Sequence, residues 1–338
     1  MTKLKSNSKY KFETITLIND YGMSVEIINL GARIKSIKFP VNGKPKEMTV
    51  SYPTAEEYLN DAFYLGATCG RVCNRISNGQ FELDGQQYQL TKNDTNNCLH
   101  GGVDNFSFRF WTVDTGSVTN SSVTLLLTSE EGDQGFPATL TLSVTYQLTH
   151  GNKLLIQYSA NSDNSTPVNL TNHCYFSLGN RSCEDLLLKI KSSFFLELND
   201  ANLPTGTILN VKGSDFDFNT LDNLGERQQQ MQESVLINMK GYDHCFVLDN
   251  SLLMETKAGL ISLENNVCMT VYTDQPAMQL YTGAYLSGEF KPYQGVCLEA
   301  QNYPDAVNFK HFPNSILKAN ETYQKTIIYG FEHYDDKT

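Results

Sequence analysis

No segment approaches the ~18–20 consecutive apolar residues of a membrane-spanning helix, which argues against a membrane partner. No Lys/Arg cluster is present either. With a net charge of −11 and a pI near 5.0, the chain is ill suited to bind DNA, RNA or anionic lipid. Its eight cysteines are scattered singly with no CxxC pair, Cys69 and Cys73 lying nearest each other. A disulfide framework belongs to short secreted chains, so reduced, mostly buried thiols in a cytoplasmic protein are expected. The start of the sequence, MTKLKSNSKYKFETITL, carries positive charge but no apolar core or cleavage site of an export signal. GxGxxG, P-loop and GxSxG motifs are missing, which removes the usual dinucleotide, nucleotide and serine-hydrolase readings. The Asn-x-Ser/Thr triplet at Asn169 is read as a chance match, since a glycan there would block the segment around His173.

Helical periodicity is nearly absent too; only residues 54–59 and 223–231 suit a short helix. Period two dominates instead. ETITLIND, MSVEIINLG and ARIKSIKFP follow one another, the last ending at Asn42 and Gly43. FELDGQQYQL sets Asp84 and Gly85 between two alternating runs, a strong hairpin signal. SSVTLLLTSE, TLTLSVTYQL and KLLIQYSANS come next, and VCMTVYTD, AMQLYTGAYL, GVCLEAQNYP and YQKTIIYGFEHY continue the pattern. Many strands without crossover helices predict an all-β fold, a large antiparallel sandwich of two stacked sheets with one concave face open to a ligand. No linker divides the chain, so residues 1–338 are read as one domain.

Two strands carry chemistry. In GVCLEAQNYP, an extended backbone puts Val296, Leu298 and Ala300 on one face and Cys297, Glu299 and Gln301 on the other. In VNLTNHCYFSL, Leu170, Cys174, Phe176 and Leu178 share a face, opposite Thr171, His173, Tyr175 and Ser177. A carboxylate and an imidazole on the polar faces of apolar strands are the parts of a general acid/base pair. Reference pKa values of about 4.3 and 6.5 would make Glu299 a carboxylate and leave His173 able to serve as an imidazolium acid near neutrality.

Other segments offer polar groups suited to hydroxyls. GATCGRVCNRISNG holds Arg71, Asn74 and Arg75, and an arginine fork matches a carboxylate or a vicinal diol. His100 precedes two glycines, where backbone can approach a ligand closely. GYDHCFVLD places Asp243 and Cys245 on one face and His244 on the other, which separates the histidine from its neighbours and argues against a metal. TDQPAMQLYTGAYL puts Gln279, Tyr281 and Tyr285 at alternating positions, amide and aromatic groups that suit a sugar.

Taken in order, GATCGRVCNRI, NNCLHGG, GDQGFPATLTLSVTYQL, NLTNHCYFSL, PTGTI, GYDHCFVLD, QLYTGAYL and GVCLEAQNYPDAVN resemble the aldose 1-epimerase (galactose mutarotase) family over essentially the whole chain. The resemblance implies the β-supersandwich, galactose mutarotase-like fold, no cofactor and no metal. It implies a small-molecule sugar substrate, galactose or glucose, and a monomer or homodimer. It further implies His173 as catalytic acid and Glu299 as catalytic base, with Asn74, Arg75, His100, Tyr175, Asp243 and Gln279 binding the sugar and Arg71 structural. The chain departs from the family pattern at VDNFSFRFW, at Ser177 and at VNFKHFPNS, all away from the acid and base. A hexose-6-phosphate 1-epimerase and a non-catalytic sugar-binding protein remain alternatives on the same fold.

Overall fold

The structure, a computed structural model, describes residues 11–249, 252–253 and 255–335. Its largest element is a nine-stranded sheet whose middle strands are Ser122–Ser129, Leu140–Leu148, Lys153–Ser162, Thr322–His333, Val267–Thr273 and Thr256–Ser262, in that order. These neighbours all pair antiparallel. Along Leu140–Leu148 and Val267–Thr273 every second residue is buried, so one face of this sheet lies on the core. A six-stranded sheet runs Tyr175–Phe176, Val296–Gln301, Ala277–Tyr281, Asp243–Leu248, Ser192–Leu198, Pro204–Asn210. Val296, Leu298 and Ala300 from this sheet share one hydrophobic core with Val144, Ile156, Val271 and Tyr329 of the larger one. A four-stranded sheet, Thr14–Ile18, Ser24–Ile28, Arg33–Val41 and Lys44–Glu47, adds Val25, Ile27 and Ile37 to the same core. The fold is the expected all-β antiparallel sandwich.

Local signals held where the residues decide the backbone. Asp84 and Gly85 both have positive φ, 52° and 79°, between strands Gln80–Leu83 and Gln86–Gln89. Helix Leu224–Gln230 starts where Asn223 Oδ1 accepts the Glu226 N–H at 2.9 Å. The 54–59 region forms a 3₁₀ turn, Glu56–Asn60, rather than an α-helix, and a second short helix, Ser234–Met239, was not anticipated.

One expectation is corrected. Residues 168–178 are not a single alternating strand. Thr171–Asn172 pairs with Cys69 and Thr68, and Tyr175–Phe176 pairs with Cys297 and Val296. The cause is Asn172, whose Oδ1 accepts the Cys174 N–H at 3.2 Å and turns the chain between the two pairings. All residues of the segment are buried, on both faces. His173 therefore sits at the join between two short ladders rather than on a strand face.

Gly66 fixes that join. Its N–H donates to the His173 carbonyl at 3.0 Å, and its own carbonyl accepts from Ile34 N–H and from Asn172 Nδ2. Its φ is +66°, and a Cβ added there would lie 2.0 Å from the Ile34 carbonyl oxygen. Gly66→Ala should lower unfolding free energy by about 2–4 kcal/mol, through left-handed strain plus a clash that only backbone movement relieves. Urea unfolding of the variant measures this, and an unchanged midpoint would refute it.

Candidate active site

The alternation read in GVCLEAQNYP is realised. Strand Val296–Gln301 turns Val296, Leu298 and Ala300 to the core and Glu299 to the opposite side, where it is 2 % exposed. Glu299 Oε1 lies 3.6 Å from His173 Nε2, and Oε2 has no hydrogen-bond partner among the described residues. His173 is held by its backbone, its N–H donating to the Ala67 carbonyl and its carbonyl accepting from Gly66. Its Nδ1 faces Cys297 Sγ at 3.5 Å, which leaves Nε2 as the nitrogen turned to Glu299.

The remaining predicted residues close a ring around this pair. Gln279 is the cross-strand partner of Glu299 and donates through Nε2 to Asp243 Oδ1 at 2.6 Å, while its Oε1 is buried with no partner among the described residues. Asp243 Oδ2 lies 3.7 Å from Arg75 Nη1, and Arg75 Nε donates to Asp94 at 2.8 Å. Asn74, at φ 59°, and His100, at φ 52°, are joined twice. The His100 N–H donates to the Asn74 carbonyl at 3.0 Å, and His100 Nδ1 accepts the Asn74 N–H at 3.2 Å. That second bond places the proton of neutral His100 on Nε2, a donor available to a ligand. The His100 ring then returns to His173, 5.4 Å between centroids.

Tyr175 stands beside His173 with ring centroids 5.1 Å apart, but its hydroxyl donates to the Phe63 carbonyl at 3.1 Å and is thereby engaged. It offers the site an aromatic ring rather than a free hydroxyl. Tyr285 does not share the strand face of Gln279: the strand ends at Tyr281, and Tyr285 lies 56 % exposed in the turn beyond. Arg71 is structural, its guanidinium buried and donating to the Pro137, Ala138 and Ser129 carbonyls. Burial pushes its pKa down to about 10. Asp94, Tyr64 and Cys297 were missed as site residues. Asp94 holds Arg75, and the Tyr64 ring lies 4.6 Å from His100. Both contacts are long-range and leave no local sequence signal.

Protonation also differs from the expectation based on reference values. Burial pushes His173 down to about 4, so its imidazole is neutral at pH 7. Burial, with the Asp243 charge adding and Arg75 opposing, raises the Glu299 carboxyl well above its ordinary 4.5. Each group is thus drawn toward its uncharged form. Arg75 is the reverse case: burial works against its charge, but Asp243 and Asp94 outweigh it and hold the guanidinium above its ordinary value.

Among the described residues, one group of His, Cys and acidic side chains has donor atoms gathered together. His173, Cys297 and Glu299 each present one such atom within 4.8 Å of the others. The Asp243-His244-Cys245 run does not gather, since His244 packs against Phe216, 4.8 Å between ring centroids. No helix among the described residues is long and apolar enough to cross a membrane.

Residues 13–330 match the family model described as aldose 1-epimerase. Among similar proteins, galactose mutarotase of Sus scrofa is 36% identical over 321 residues, covering 91% of each chain. Aldose 1-epimerase of Haemophilus influenzae is 33% identical over 339 residues, covering 95% of this chain and 96% of its own. The crystal structure of an aldose epimerase homologue from C. elegans superposes with a TM-score of 0.90 at 29% identity, covering 96% of this chain and 100% of that one. Galactose 1-epimerase from Lactobacillus acidophilus gives 0.88 at 29% identity, covering 99% and 98%. The chain belongs to the aldose 1-epimerase family.

Proposed function

We propose that Glu299 and His173 carry the aldose 1-epimerase reaction on a free hexose such as galactose or glucose. The observation that carries this reading is the buried 3.6 Å approach of Glu299 Oε1 to His173 Nε2 inside a ring of hydroxyl-binding groups. With Glu299 protonated, as its raised pKa favours, the pair holds one transferable proton in common. Passing it from Glu299 to His173 produces the carboxylate base and imidazolium acid with no change in net charge. The C1 hydroxyl of a bound sugar, donating to Glu299, favours this arrangement because a hydrogen bond to a carboxylate stabilises the charged form. Glu299 then removes the C1 hydroxyl proton while His173 protonates the ring oxygen. The C1–O5 bond breaks, the aldehyde forms, and rotation about C1–C2 presents its other face. Closure reverses the two proton transfers. The 3.6 Å separation exceeds a hydrogen bond, as suits a pair completed by substrate.

Asn74, Arg75, Asp243 and Gln279 hold the sugar hydroxyls, His100 assists near the ring oxygen, and Tyr175 supplies ring surface beside His173. Continuity of one core from Leu17 to Phe331 supports reading the chain as one domain. The eight cysteines, all free and seven of them buried, support a reducing compartment such as the cytoplasm.

Arg75 lies between Asp94 and Asp243, which leaves it no spare charge for a phosphate. Polarimetry should therefore show faster catalysed mutarotation of galactose or glucose than of glucose 6-phosphate. A clear preference for the phosphate would overturn the unphosphorylated substrate. The acid limb of kcat/KM provides a separate check. Because the working pair carries one proton, the acid limb comes as a second proton enters on His173, at about 4, and the basic limb as the shared proton leaves Glu299, above 4.5. An acid limb near the ordinary histidine value of about 6.5 would contradict the shared proton.

A further inference from the structure

We infer that His173, Cys297 and Glu299 form a binding site for a thiophilic divalent cation such as Zn²⁺, whose occupancy reversibly shuts the enzyme down. Cys297 and Glu299 are two residues apart on one strand, hence on one face, and His173 stands across from both. A tetrahedral ion bound at roughly 2.0–2.3 Å needs ligand atoms roughly 3.3–3.8 Å apart. The Sγ–Nδ1 contact of 3.5 Å and the Oε1–Nε2 contact of 3.6 Å each have that spacing, but on opposite ring nitrogens, of which one ion takes one. One donor atom from each residue falls within 4.8 Å of the other two, so turning the imidazole to aim one nitrogen at both neighbours closes the set.

The donors are the right kind. Thiolate, imidazole and carboxylate are the ligands zinc takes, and three of them leave a fourth position for water. Charge also balances: the ion replaces the Cys297 thiol proton and any proton on Glu299, which pass to solvent, and two anionic ligands neutralise the cation in a buried place. Glu299 Oε2 adds a sign of a ligand position, a buried acceptor that no donor among the described residues satisfies. The same carboxylate is read above as the base, so cation and sugar exclude each other. That last point rests on the proposed function; the binding site does not.

The test uses the whole chain, stripped with a chelator and assayed by polarimetry with added Zn²⁺. Co²⁺ serves in parallel as an optical probe of thiolate ligation. The expected result is saturable inhibition relieved by galactose and reversed by chelator, together with a thiolate-to-Co²⁺ charge-transfer band. Even outer-shell changes cost metal sites roughly 10–100-fold in affinity, so Cys297→Ser should weaken inhibition at least ~10-fold relative to its own uninhibited rate and abolish the band. Cys297→Ala is the second variant should the serine fold poorly, and the wild-type band needs no variant. Absence of the band, or equal inhibition of wild type and the Cys297 variants, would overturn the site. A band without loss of turnover would keep the site and overturn the placement of the reaction at this pair.

Discussion

Glu299→Gln should lower kcat by at least ~10²-fold while sugar binding is largely retained, because the amide keeps the shape of the side chain but cannot take a proton. His173→Asn should cost a comparable factor. The double variant should lose far less than the product of the two, since one proton serves both groups and removing either partner already disables the exchange. The site geometry sharpens this expectation. Glu299 Oε2 has no partner among the described residues, so the Gln amide can turn its N–H group there with little disturbance of folding. Glu264, in an exposed turn and outside every motif, is the control, and Glu264→Gln should leave the rate unchanged. Near-wild-type turnover in folded, sugar-binding Glu299→Gln would mean that the base lies elsewhere.

Asp61→Ala should lower unfolding free energy by about 3–5 kcal/mol. Arg33 and Asp61 are both buried, with side chains fully shielded, and meet at 2.6 Å. Arg33 also donates to the Leu65 and Ser107 carbonyls, and Asp61 accepts the Phe63 and Leu65 N–H groups. Removing the carboxylate strands a buried guanidinium and releases the turn that carries Phe63, Tyr64 and Gly66. Phe63 anchors the Tyr175 hydroxyl and Gly66 anchors His173, so turnover should fall along with stability. Denaturant unfolding and polarimetry on the same preparation test both parts. A shift below about 1 kcal/mol would show that water or another group solvates Arg33.

What the sequence revealed follows from range. Strand Val296–Gln301 was legible because alternation is a property of six consecutive residues, and its faces lie as read. Asp84 and Gly85 were legible because a tight turn is decided within four residues. The 168–178 segment misled because the Asn172 side chain, bonding two residues along, interrupts a pattern that hydrophobicity alone would continue. Asp94 left no trace because it acts on Arg75, away along the chain, and Cys297, though read on the Glu299 face, gave no sign of meeting His173, which lies far away in the chain. Protonation was furthest from reach: the shifts of His173 and Glu299 come chiefly from burial by every layer around them, which no local reading contains.

Strand Val296–Gln301 is inserted between Tyr175–Phe176 and Ala277–Tyr281, both of which precede it in the chain. A polypeptide emerging from the ribosome therefore makes the two flanking strands first and must keep a slot open between them. Until the late strand arrives, the apolar edge of Ala277–Tyr281 is unpaired, an invitation to wrong partners that a nascent chain must survive. Pairings of such long sequence separation also fold slowly. The strand that fills the slot is the one bearing Glu299, so the proposed base and relief from that hazard arrive in the same step. A chain truncated before residue 296 would lack the proposed base and keep that edge of Ala277–Tyr281 unpaired.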